Sequence, residues 1–347
     1  MAPETLTPDT TVTRYATVQA LKALPSLSEG GLAETAGFHV PGDGGHALYG
    51  IHKLSDELAP NGADVIALKD GLVAVLLESE AVNYRMFGAV GDGENDDGVQ
   101  VKLAHEYAGK HRIPVVNLSG EFWIKQTNNI PITTSVRWGN TTFHIDERYN
   151  HRSFARFTVL NDEPTQTLEL DEKTKAALLA KVRPGVQIVA QLAPYAGHLI
   201  MVEDSEDRIG IRAGNYSKQG WAREELFYVE EEGRIIGDIA WEFKNFTSVK
   251  VIPCNDNYLI IEGGGLRFSG DTPDGDSKSY HHHGIAIKRS RTIVREQWCG
   301  LEKGRHDTSM APRAGFYVLS GVYDVTLENI RAIPWEQNRS DPAKKVG

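Results

Sequence analysis

The sequence predicts an all-β protein whose C-terminal part winds into the stacked coils of a parallel β-helix. Paired short apolar runs are the first reason. They are Tyr258 to Gly263 with Leu266 to Phe268, Gly284 to Lys288 with Thr292 to Val294, and Gly315 to Ser320 with Val325 to Leu327. Their first residues lie 26 and 31 positions apart, near the spacing of one coil once loop insertions are allowed. Composition is the second. Apolar residues make up 40% of 347, enough for the core of one large domain or two smaller ones, and 34 Gly without a triplet period exclude collagen.

The elements follow in chain order. Ala16 to Leu24 reads as a short helix ended by Pro25, and Ala47 to Ile51 and Val73 to Leu77 read as strands of a small β-rich module. The segment Phe87 to Asp97 packs glycines at 88, 91 and 93 before Asp96 and Asp97, which suits tight turns followed by a capped helix. That helix is expected over Gly98 to Ala108, with Val99, Leu103, Ala104, Tyr107 and Ala108 as its apolar stripe and Gly109 as its stop. Short strands at Ile113 to Val116 and Gly120 to Ile124 come next. Between Leu168 and Phe243 the pattern changes to a helix at Leu170 to Ala180. Strands are then expected at Val186 to Val189, His198 to Val202, Arg208 to Ile211 and Leu226 to Val229. A stretch that long is expected to be a β-rich insertion with its own structure rather than a loop. The expected organisation is an N-terminal module at 1–83, a cap and first coils at 84–167, the insertion at 168–243 and further coils from 244.

Several function classes are disfavoured. Lys and Arg number 37 against 47 Asp and Glu, a net charge of −10, which leaves no general excess of cations to displace the counterions of a nucleic acid. No apolar run reaches membrane-spanning length, and the N-terminus lacks the basic and apolar regions of a secretory signal. Cys254 and Cys299 form no C-x-x-C pair. Gly263 to Gly265 follows a strand, yet no helix begins after it and no phosphate-loop pattern is present.

The run from Phe87 to Asp97, its helix, and the strands at Ile113 to Val116 and Gly120 to Ile124 resemble the opening of pectate-lyase-like right-handed parallel β-helices. Members of that family include bacteriophage tailspikes, pre-neck appendages and polysaccharide-degrading enzymes. The resemblance covers Val12 to Ile124 closely and the rest only in its short-strand style. It implies a right-handed single-stranded β-helix with an N-terminal capping helix, and Asp92, Asp96 and Asp97 that turn and cap the chain. It also implies a tailspike-type protein that binds and cleaves a cell-surface polysaccharide, assembled as a homotrimer in the virion tail. A secreted, extracellular lyase or hydrolase and a noncatalytic adhesin or structural appendage are the alternatives.

Candidate residues follow from the chemistry of those reactions. Hydrolysis needs two carboxylates flanking the glycosidic oxygen, and elimination needs a base plus a cation that neutralises a uronate carboxylate. Glu262, Asp271 and Asp276 serve the first. His283 as base and Tyr280 as acid serve the second, with Arg289 neutralising the carboxylate. Lys288, Arg289 and Arg291 form a basic strip for substrate binding, and Tyr317 and Tyr323 offer aromatic faces to sugar rings. The plainer readings are that Gly270 to Ser279 is a solvated turn and that the cations pair with Glu296, Glu302 and Glu328 across coils. No cofactor is implied. His281 and His283 share one face of an extended segment, and with Asp271, Asp274 or Asp276 they leave a divalent cation open.

Overall fold

The structure, a computed structural model, describes residues 12–23, 27–146, 149, 154–210, 220–268, 281–301 and 313–332, with the backbone alone at 281–283, 301 and 313–315. From Val115 onward the chain climbs through coils of three short strands, each pairing in parallel with its counterpart in the next coil. The chain is a parallel β-helix with three walls. Wall A stacks Val115–Val116, the first half of Val136–Ile145, the first half of Leu259–Phe268, Thr292–Arg295 and Val325–Glu328. Wall B stacks Glu121–Ile124, the second halves of the two long strands, Trp298–Leu301 and Arg331–Ala332. Wall C stacks Ile130–Ile132, Phe157–Val159, His281–Ile287 and Arg313–Leu319.

The period-2 alternation of each strand sends every second side chain inward, and the parallel register stacks like on like. Val115, Val136, Ile261 and Val294 form one fully buried column, and Phe122, Phe143, Leu266 and Cys299 form a second. Outward positions of wall A carry Arg137, Glu262, Arg295 and Glu328 in register, so their charges alternate from coil to coil. The corner between walls A and B needs left-handed backbone. Gly139 (φ 51°), Gly263 (φ 80°) and Gly264 (φ 85°) supply it in the lower coils, where a Cβ on Gly263 would sit 2.6 Å from the Gly139 nitrogen. Glu296 (φ 57°) and Asn329 (φ 51°) turn the same corner higher up, held by an Asn329 Nδ2 to Glu296 Oε1 bond of 2.7 Å. The neighbouring Gly265 makes room for Trp298, whose ring would lie 2.0 Å from an added Cβ.

The capping helix spans Gly98–His111, three residues past its expected end, and closes on Arg112 in the left-handed conformation (φ 56°). Gly109 is no stop. It lets the helix lie against the first coil, since a Cβ there would be 2.4 Å from Thr133 Oγ1. Contact at both ends, with Thr127 against Gly98 and Thr133 against Gly109, rotates the buried face to Val101, Ala104, His105, Tyr107 and Ala108. Val99, expected in the stripe, is 57% exposed. Asp96 accepts the Gly98 and Lys125 amides, while the buried Asp97 accepts the Val90 and Gly91 amides and ties down the glycine loop.

Under the helix lies a buried chain of polar groups. Trp138 Nε1 donates to the Tyr84 hydroxyl at 2.5 Å, and that hydroxyl shares a hydrogen bond of 3.0 Å with His105 Nε2. Burial lowers the pKa of His105 to about 3 from 6.5, so the imidazole stays neutral. The unfolded chain takes up this proton near pH 6.5 and the folded chain only near 3, so acidification through that window favours unfolding. Urea titrations between those limits should show falling stability in the parent and a flatter profile in His105→Gln. Identical profiles would reject the assignment.

The N-terminal module is a five-stranded sheet in the order Val12–Tyr15, Leu32–Thr35, Ala47–Lys53, Leu72–Leu76, Val65–Ala67, beside a helix at Val18–Ala23. Its core is continuous with that of the β-helix, and the Tyr107 hydroxyl meets the carbonyls of Leu76 and Glu78 across the junction. The insertion is different. Its antiparallel sheet runs Gln166–Thr167, Ser248–Pro253, His198–Ile209, Trp221–Val229, Ile235–Ile236, over a separate core that includes Leu178, Leu192, Ile200 and Phe227. Ser248–Pro253, expected in the first coil after the insertion, pairs with His198–Glu203 instead, because its alternating Val249 and Val251 complete the insertion's core. The strand expected at Val186 to Val189 is reduced to a single bridge between Ile188 and Arg234.

Candidate functional site

The insertion leaves the β-helix after Val159 on wall C and returns before Leu259 on wall A, so it overhangs the corner between those walls. A groove of about 770 Å³ lies between overhang and corner. Tyr228 comes down from the insertion strand Trp221–Val229 and stacks on Tyr323, which leads into the wall A strand Val325–Glu328, with centroids 4.7 Å apart and planes 14° off parallel. Arg291 stands beside them in left-handed backbone (φ 51°). Its guanidinium donates to the Asn255 carbonyl at 2.8 Å and the Tyr228 hydroxyl at 3.3 Å, and lies 3.5 Å from Asp256. Burial alone lowers its pKa, but the Tyr228 hydroxyl and neighbouring negative charge raise it overall, so the cation is held. One coil down, the Tyr258 hydroxyl donates to Asp324 Oδ2 at 2.5 Å.

The opposite side is acidic. A turn after the insertion strand carries Glu230, Glu231 and Glu232, all exposed, followed by Arg234. Glu232 adopts φ 60°, and Gly233 packs so close to Val189 that a Cβ would lie 2.1 Å from its carbonyl oxygen. The turn is thus set by backbone contact with the insertion core. Carboxylates, a guanidinium and an aromatic platform that converge on one open groove can hold a hydroxyl-rich ligand and offer acid and base groups to it.

The expected site residues separate. Arg291 and Tyr323 line the groove. Lys288 is exposed at the same corner, where its carbonyl accepts from Asn161. Arg289, expected on an exposed basic strip, is only 2% exposed. Its guanidinium is shared among the carbonyls of Ser290, Arg291 and Asn257 and the Asn257 side chain. Tyr317, expected to face solvent, aligns with the interior column of Ile130, Phe157 and Ile285, and its hydroxyl donates to Gln297 Oε1 at 2.9 Å. The same burial raises the thiol of its neighbour Cys299 to about 11. Glu262 lies on wall A, its carboxylate 2.9 Å from the Arg295 guanidinium of the next coil. Asp271, Asp274, Asp276 and Tyr280 lie outside the described residues; His283 is placed by its backbone on wall C, and no side-chain position is assigned to it.

Sequence reasoning missed Tyr228 and the acidic turn. The Glu230 to Glu232 run is visible in the sequence, but nothing in it shows that residues 95 positions from Tyr323 would stack on that ring. A second cavity of about 730 Å³ sits between the capping helix and the same corner, with Glu106, Lys110, Arg112, Thr133, Asp162 and Tyr258 in its walls.

No protein-family profile matches the sequence, and no curated protein matches it. Solved structures do. Tailspike protein 2 from Escherichia coli O157:H7 bacteriophage CAB120 is similar over 96% of this chain and 37% of its own, at 11% identity and a TM-score of 0.34. A tailspike from Acinetobacter baumannii bacteriophage Fri1, described as a capsular polysaccharide depolymerase, is similar over 92% of this chain and 46% of its own, at 10% identity and a TM-score of 0.32. The glycan biofilm modifying enzyme of Pantoea stewartii, described as having a tailspike-like parallel β-helix fold, is similar over 93% and 48%, at 10% identity and a TM-score of 0.32. The chain therefore spans less than half the length of these proteins. Among the described residues no helix is long and apolar enough to cross a membrane.

Proposed function

We propose that the protein binds a cell-surface polysaccharide in the corner groove and cleaves it, as a homotrimeric, tailspike-type component of a virion tail. The stacked Tyr228 and Tyr323 rings at the mouth of a 770 Å³ groove carry this reading. Sugar rings present apolar C–H faces that pack on aromatic surfaces, and their hydroxyls bond to carboxylate and guanidinium groups. Two carboxylate sets are proposed for the chemical step: Glu230, Glu231 and Glu232 in the groove, and Glu262, Asp271 and Asp276 on and after the wall A strand. His283 and Tyr280 serve an elimination.

Retention on purified surface polysaccharides tests the binding. Tyr323→Ala should weaken it about tenfold, the loss typical of an aromatic anchor. Unchanged retention would remove the groove from the reading. Release of reducing ends marks hydrolysis, absorbance of an unsaturated uronate marks elimination, and binding with neither product selects an adhesin. Asp271→Asn and Asp276→Asn abolish turnover only if that set performs it, and light scattering of a stable monomer would reject the trimer.

A further inference from the structure

We propose that the groove accepts an uncharged stretch of glycan and excludes polyuronates, so that the cleavage proposed above is a hydrolysis; this rests on the groove being the glycan site. Carboxylates outnumber cations in the lining of the groove, and the nearby guanidiniums are largely engaged by the protein itself. Arg289 is buried on carbonyl oxygens. Arg291 reaches the groove, but one terminal nitrogen is committed to the Asn255 carbonyl and Asp256, and the other to the Tyr228 hydroxyl. The Asp256 carboxylate beside that guanidinium offsets part of the charge that Arg291 offers to a ligand. Arg234, without an ion pair or side-chain hydrogen bond among the described residues, shares the lining with the three exposed carboxylates of Glu230, Glu231 and Glu232, which outnumber it. Asp256 and Asp324 add negative charge at the rim, the first with its side chain fully exposed.

A charged polymer laid in this groove would keep its carboxylates within a Debye length, about 8 Å at physiological salt, of several like charges. The aromatic platform makes no demand on charge, because it holds the ring face. Elimination removes a proton from the carbon beside a uronate carboxylate, so a neutral glycan leaves hydrolysis. One protonated carboxyl group gives its proton to the leaving glycosidic oxygen as the C–O bond breaks, and a carboxylate takes a proton from the water whose oxygen forms the new bond.

Affinity electrophoresis of the full chain in gels containing dextran, yeast mannan, galactomannan, polygalacturonate or alginate tests this directly. Retention by at least one neutral polymer, independent of salt, with none by the two polyuronates, is the expected result. The double variant Glu231→Lys/Glu232→Lys should gain retention on polygalacturonate by about tenfold at low salt. Retention of the parent chain on a polyuronate, or no gain in the double variant, would overturn the charge selection and leave the glycan site standing. If no polymer retains the parent chain, both readings fall.

Discussion

Arg289→Met should cost the protein about 3 to 5 kcal/mol of stability, because a side chain of similar volume would leave buried carbonyls without their donor. The parent guanidinium reaches the carbonyls of Ser290 at 3.0 Å, Arg291 at 2.9 Å and Asn257 at 2.9 Å, and Asn257 Oδ1 at 3.2 Å. These acceptors belong to two successive coils at the corner where the insertion departs, so one cation fastens both crossings. Burial lowers the pKa of Arg289 by removing the guanidinium from water. No buried carboxylate is stranded by the substitution, since Asp162, the nearest acid to influence it, is exposed. The cost is therefore that of orphaned acceptors. Arg289→Lys should recover only part of it, as one ammonium with three donors cannot span four acceptors in that fan. Urea denaturation reads the loss. A variant as stable as the parent, yet unable to act on a polysaccharide, would instead give Arg289 the substrate-neutralising role that the sequence suggests.

The second large effect is expected at Trp138. Trp138→Ala should destabilise by about 4 kcal/mol, within the range for removing a fully buried large aromatic side chain. The ring is fully buried, meets Phe143 and Phe157 with centroids 4.9 and 5.1 Å away, and underlies the tight corner at Gly264. It also starts the hydrogen-bond chain to Tyr84 and His105, so its loss frees Tyr84 to reorient under the capping helix. Trp138→Phe keeps most of the apolar contact and loses the donor, and about a third of the effect is expected from it. Thermal denaturation of both variants checks the ordering, and equal losses would mean that the hydrogen bond, rather than the volume, dominates at this position.

The β-helix was legible because its cause is local and repeated. Each coil needs inward apolar residues at alternate positions, and columns such as Val115, Val136, Ile261 and Val294 leave that pattern in the sequence even when the loops between them vary. The cap was legible for a similar reason, since glycines with positive φ followed by aspartates have few other uses. Alternation does not say which alternate faces inward, nor how far a side chain lies from the wall's edge. Alternation alone therefore leaves Tyr317 and Arg289 as surface groups, although the register turns one into the core and the corner folds over the other. Helix face was lost in the same way at Val99, where contacts of Gly98 and Gly109 with the coil outweighed the apolar stripe.

The groove depended on something no local pattern encodes. Tyr228 and Tyr323 stack only because an insertion with its own core folds back over the corner it leaves, and Arg291 joins them because a left-handed turn aims it there. The sequence alone determined the coil, its cap and the presence of an inserted body, since burial of alternating apolar residues drives each of them. Tertiary structure alone decided which charges face the groove and which are consumed within the corner. Whether a guanidinium meets solvent or a carbonyl depends on how distant segments pack, and the energy of that packing is shared among residues far apart in the chain.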